Sequence, residues 1–115
     1  MEYIEIPPSM KRTVKNMAEE RLVKEIPIFF ISTKYMVPME FVKVYINQYS
    51  YEIYRLVNGR KNESLDDAFT AISYTEEVSK ALVMKSYNWC KYLREKDRKF
   101  RNHPVIKFLN KIKKL

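Results

Sequence analysis

Glycine is nearly missing from this chain: Gly59 is the only one in 115 residues. Sheet-rich domains of this size draw on several glycines for turns, bulges and hairpins. The scarcity therefore argues against most β-rich architectures and favours long helices joined by short connections. It also removes the glycine-rich loops that cradle phosphates. Cysteine is limited to Cys90 and histidine to His103. One thiol cannot close an internal disulfide, and one Cys with one His cannot complete a zinc site. The carboxylate pairs Glu19/Glu20, Asp66/Asp67 and Glu76/Glu77 are adjacent in sequence and diverge on a helix, so none chelates a metal as a pair. Neither a metal nor a cofactor is expected. Long apolar runs are lacking too, since Ile26 to Ile31 falls far short of the roughly 20 residues that cross a bilayer. Met1-Glu2-Tyr3-Ile4-Glu5 has neither the basic start nor the apolar stretch of a signal peptide. These absences predict a cytoplasmic protein with no membrane partner.

What is present fits a single domain over residues 1–115, with an apolar fraction of 46%, ordinary for a globular core. Its charge is unevenly placed. Residues 1–90 hold twelve Lys/Arg and twelve Asp/Glu, whereas residues 91–115 hold ten Lys/Arg against Glu95 and Asp97, the whole net charge of +8. An anionic partner for that end of the chain follows.

The expected fold class is mainly α: a compact bundle of four to five helices, with room for a short two-stranded β element at the N-terminus. Residues 1–36 would form this small β/α element, 37–115 the helical part, and 91–115 a basic C-terminal region. Tyr3 to Ile6 alternates apolar and acidic residues as a strand does and stops at Pro7-Pro8. Ser9 is the expected N-cap of a helix to about Lys24, with Met10, Val14, Met17, Ala18 and Leu22 on its apolar face. Ile26-Pro27-Ile28-Phe29-Phe30-Ile31 reads as a buried strand or an apolar loop. Pro38 opens a helix to about Val57, with Val42, Tyr45, Ile46, Tyr49, Ile53 and Leu56 inward. Ser64 and Asp67 begin a short third helix carrying Leu65, Ala68, Phe69 and Ile72. Thr75 is then expected to cap the longest helix, running to about Asn102 before Pro104. Val78, Leu82, Trp89, Leu93 and Phe100 fall in one narrow arc of it. Val105, Phe108, Leu109 and Ile112 predict a last short helix whose apolar face closes the core.

Lys91, Arg94, Arg98 and Arg101 are spaced i, i+3, i+7, i+10 opposite Leu93 and Phe100, a cationic stripe roughly 15 Å long. Such a stripe suits backbone phosphates, whose neutralisation releases condensed counterions. Lys107, Lys111, Lys113 and Lys114 would extend it. The simpler reading is a solvated helix face, with Glu95 and Lys99 as an i,i+4 pair. The expected function is thus a small non-catalytic regulator or complex subunit that binds DNA or RNA. A scaffold subunit docking on an acidic protein, or a homo-oligomer, is the interaction alternative. Most of the nine tyrosines read as packing residues, with Tyr45 and Tyr49 inward and Tyr51 and Tyr54 at the surface or an interface. Cys90 beside Trp89 reads as a partly buried side chain.

Arg98-Lys99-Phe100-Arg101-Asn102-His103 resembles the Arg-x4-His pattern of HEPN-type ribonucleases, which are helical and often dimeric. The resemblance implies metal-independent RNA cleavage, with His103 as general acid/base and Arg98 holding the scissile phosphate. On a regular helix the two side chains would point about 140° apart, so convergence needs a distorted helix end or a dimer. Glu5-Ile6-Pro7, a helix ending near Leu22-Val23, and Glu25-Ile26-Pro27 resemble the small domain of GINS replication subunits, over about a quarter of the chain. That likeness implies a non-catalytic scaffold.

Overall fold

The computed structural model describes residues 5–101 together with residues 104, 105, 109 and 111. Five α-helices make up most of this: α1 (Lys11–Ala18), α2 (Ile28–Tyr35), α3 (Met39–Gly59), α4 (Leu65–Glu76) and α5 (Lys80–Arg101). Among the described residues there is no strand. The expected N-terminal β element is therefore a correction. Glu5 and Ile6 lie outside any strand, Tyr3 and Ile4 fall outside the described residues, and Ile28–Ile31 begins a helix. The cause is Pro27, whose φ of −59° and ψ of 145° set it as the N-cap. Its carbonyl accepts from the N–H groups of Phe30 and Ile31 at 3.1 and 3.4 Å. A strand's ladder would have left that carbonyl to a neighbouring chain segment.

The first helical passage starts as a 3-10 turn (Pro8–Met10), runs through α1 and leaves by a π turn (Glu19–Val23). Ser9 sits inside the opening turn and is not the N-cap; Pro7 holds that position. The missing N–H of Pro8 costs nothing at a helix start. Val14, Met17 and Ala18 are buried as their spacing predicts. The Lys34 ammonium pairs with the mostly buried Glu20 carboxylate and ties the π turn to α2. Burial alone would raise the Glu20 pKa, but the bonds from Lys34 and Tyr35 outweigh it and hold the carboxyl below its ordinary range.

Three of the junctions turn without glycine. Glu25, Met36 and Glu77 adopt φ of 58°, 55° and 57°, a region that costs an L-residue roughly 1–2 kcal/mol. Each is repaid by a closing bond: Ile26 N–H to the Glu20 carbonyl at 2.9 Å, Val37 N–H to Ser32 at 3.1 Å, and Val78 N–H to Ser73 at 3.1 Å.

α3 is the central helix, packed by α1, α2, α4 and, most extensively, α5. Val42, Ile46, Tyr49, Ile53 and Val57 form its buried side, whereas Leu56 of the expected stripe is exposed. The Ser64 hydroxyl accepts from the Asp67 N–H at 3.1 Å, capping α4 as its sequence predicts.

The longest helix begins later than expected. Thr75 lies in the last turn of α4 and donates its hydroxyl to the Ile72 carbonyl. Ser79 is the cap of α5, accepting from the Leu82 N–H at 3.1 Å. α5 is also rotated from the predicted arc. Its core side is Leu82, Val83, Ser86 and Cys90, with Trp89 and Leu93 half-buried at the margin and Phe100 61% exposed. Cys90 is entirely buried, and burial pushes its thiol pKa up. Beyond it the helix runs along the margin of the bundle and then outward, and every residue of 94–100 is exposed. The radius of gyration of 16.4 Å exceeds the ~13 Å typical of this length, as a packed bundle with a projecting helix end requires. Pro104 is itself helical, and Val105 and Leu109 are exposed, so those two do not close the core.

Candidate nucleic-acid interface

Lys91, Arg94 and Arg98 all lie exposed on the projecting half of α5. Aromatic rings underlie the first two. The Arg94 guanidinium sits 5.2 Å from the centre of the Tyr54 ring, and the Lys91 ammonium 5.8 Å from that of Tyr87. Tyr54 and Tyr87 are stacked at 5.1 Å, and Phe69 meets Tyr87 edge-on at 5.4 Å. Cation–π contacts at such exposure are worth about 0.5–1 kcal/mol each. Their consequence is positional: two cations are held against rigid rings from α3 and α5 while their charge stays accessible.

Arg98 donates to Glu95 at 2.9 Å, in place of the Glu95–Lys99 pairing expected from spacing. That hydrogen bond, with the charges of Arg98, Lys99 and Lys91, holds the Glu95 carboxyl below its usual range. An exposed ion pair is worth little, so a phosphate could displace the carboxylate at small cost. Arg101 is the last consecutive described residue of α5, and Lys111 is exposed. Lys107, Lys113, Lys114 and His103 lie outside the described residues, so the Arg98–His103 arrangement of the HEPN resemblance has no described geometry.

The other face of α5 carries a second feature. At 100° per residue Lys96 falls about 180° from the centre of the Lys91/Arg94/Arg98 stripe. There an open groove of about 710 Å³ runs between the π turn, α2, α3 and α5. Leu22, Ile28, Ile46 and Leu93 contribute apolar wall, and Trp89 and Tyr92 contribute aromatic rings. The two rings stack at 5.3 Å, 24° from parallel. The Trp89 indole N–H donates to the Asn47 Oδ1 at 2.7 Å, which fixes the ring. Arg21, Lys43 and Lys96 line the same groove against one carboxylate, Glu25.

A smaller cavity of about 260 Å³ lies between α1, α3 and the end of α4. Glu5, Glu52 and Glu76 face Lys11 and Lys15 there, around the buried Tyr49. Burial first, and then the Glu76 charge, raises the Glu52 pKa. This mixture of signs gives the cavity no preference for an anion. Among the described residues no His, Cys, Asp and Glu group could hold a metal ion, and no helix is long and apolar enough to cross a membrane.

Linear spacing reveals the stripe but not the groove. Arg21, Lys43 and Asn47 carry no motif, and they meet Trp89 only because α3 crosses α5. Tyr54 and Tyr87 were similarly silent as ring supports. Searches of protein-family models, curated proteins and solved structures find no match to this chain.

Proposed function

We propose that this protein binds nucleic acid through backbone phosphates, without catalysis, as a small regulator or complex subunit. Lys91, Arg94, Arg98 and Arg101 would make the contacts, with Lys107, Lys111, Lys113 and Lys114 adding to them. The observation that supports this most is the exposure of every residue of 94–100 on a cation-rich stretch of α5. A rod about 10–12 Å across with charge accessible along its length can approach a phosphate backbone that a flush surface helix would meet only at a tangent. The test is binding of DNA and RNA, single- and double-stranded, across a salt series. Changing Arg94, Arg98 and Arg101 together to Ala should weaken binding similarly for all sequences. It should also cut the salt slope by about 2–3, near 0.9 per lost phosphate contact on duplex DNA. Unchanged affinity would reject this surface. Metal-independent RNA cleavage lost in His103→Ala would instead favour the ribonuclease reading.

A second reading, docking onto a protein, is favoured by a different surface. Phe29 and Phe30 of α2 meet edge-on with ring centres 5.8 Å apart and are both exposed, as are Met36, Met39 and Phe41 at the turn into α3. Self-association lost in a Phe29→Ser/Phe30→Ser variant would assign that surface to a homo-oligomer.

A further inference from the structure

We infer that the groove between α3 and α5 is a stacking site for an unpaired nucleobase, so that the protein's ligand is single-stranded nucleic acid. The inference rests on the phosphate-binding reading above and goes beyond it by choosing the strand state. The groove offers what a base requires. Tyr92, 53% exposed, is the open end of a stack whose inner ring is Trp89. Because the indole N–H is already bonded to Asn47, Trp89 has only its π surface to offer. Stacking of this kind tolerates any base. The Asn47 amide nitrogen keeps its donors for a base carbonyl. Three cations against one carboxylate give the rim the sign a phosphate needs. The Arg21 guanidinium, bonded to the Ile26 carbonyl at 3.3 Å, is held in place there.

Pairing excludes the duplex as the ligand of the groove, because a paired base cannot stack on Tyr92. The groove and the Lys91/Arg94/Arg98 stripe lie on opposite faces of one helix, about 10–12 Å apart through its body. The two walls of a duplex's major groove can flank a helix on opposite faces, but a duplex keeps its bases paired and stacked on one another, so none is free to enter the groove. A single strand can lie along the stripe, cross the exposed side of α5 and place a base in the groove. Its bases are also free of pairing partners.

The chain's only tryptophan is the probe. Labelled oligo-dT and oligo-rU of about 12 nucleotides, within the usual span of single-strand sites, and a duplex of equal length are titrated onto the full chain. Label anisotropy reports binding, and Trp89 emission reports occupancy of the groove. The single strands should quench Trp89 and the duplex should not. Tyr92→Ala, at an exposed site, should weaken single-strand binding about tenfold and leave duplex binding unchanged, as one lost stacking contact implies. Lys43→Ala, remote from the stripe, should act in the same direction, and circular dichroism checks that both variants fold. If strands and duplex bind alike without quenching, the groove inference fails while the phosphate reading stands. If neither binds, both fail. If a poly-glutamate peptide quenches Trp89 as strongly as oligo-dT, the groove is a site for acidic protein and the inference is overturned.

Discussion

Lys80–Cys90 and Lys91–Arg101 are halves of one unbroken helix with opposite surroundings. The first half buries Leu82, Val83, Ser86 and Cys90 against the bundle. In the second, residues 94–100 are all exposed. The sequence of each half matches its source of stability. Val83, Ser86 and Cys90 are indifferent helix formers held helical by packing, whereas Leu93, Arg94, Glu95, Lys96, Arg98 and Lys99 are good ones that need none. Eleven residues would be a marginal helix alone, but nucleation has already been supplied by the anchored half. Basic residues near a helix C-terminus also favour the dipole. The comparison teaches that this helix is a core element and a presenting arm in series, and that the arm can change without disturbing the core.

The largest contrast should come from matched truncations. Leu82→Ala, in the buried half, should lower stability by about 2–5 kcal/mol. Phe100→Ala, in the arm, should cost less than about 0.5 kcal/mol, as surface substitutions do. Urea unfolding of the two variants checks this. A cost above about 1 kcal/mol for Phe100→Ala would show that something covers the arm, and the comparison would break.

Trp89 sits at the border and should behave as neither half does. It is half-buried, so Trp89→Ala should cost about 1–3 kcal/mol, below the 3–5 kcal/mol of a fully enclosed ring. The same substitution should abolish the groove's stacking site while leaving the stripe intact. A loss of 4 kcal/mol or more would move the border toward the C-terminus and close the groove.

How the sequence anticipated these features follows from the residues concerned. α3 was legible because its apolar positions keep a helical period over five turns between Pro38 and Gly59. The α4 cap was legible because Ser64 and Asp67 bond as their spacing demands. α2 was hidden because Ile-Pro-Ile-Phe-Phe-Ile has no polar residue to betray a period. Its helix buries only Ile31, so burial pattern gave no signal, and the segment's β-forming residues read as a strand or loop although Pro27 starts a helix there. The break between α4 and α5 was hidden because its left-handed residue is Glu77, where a glycine or asparagine would have marked it. Ser79, three residues before Leu82, was the signal available. The rotation of α5 was misjudged because its core side includes Ser86 and Cys90, which a hydrophobic arc discounts in favour of Trp89 and Phe100. The cationic stripe needed only spacing, while the groove needed two helices to cross.

Acidification gives the smallest effect and should separate the two halves again. Glu95 pairs with the stripe cation Arg98, and its pKa is lowered in the folded arm, first by the hydrogen bond from Arg98 and then by the surrounding positive charge. A carboxyl whose folded pKa lies below its unfolded value adds stability that is fully present above the unfolded value, about 4.3 for Glu. That contribution is lost as pH falls through the folded value. Lowering the pH from 6 to about 3 should therefore loosen the arm by protonating Glu95 and leaving Arg98, Lys91 and Lys99 to repel one another. Cα chemical shifts of residues 91–101 should move toward coil values while those of 80–90, held by burial, stay helical. Glu95→Gln should show a small shift of the same sign already at pH 6 and lose part of the pH response, since an exposed pair contributes little. If both halves lose helix together, α5 melts as one unit and the arm draws its stability from the core rather than from its own residues.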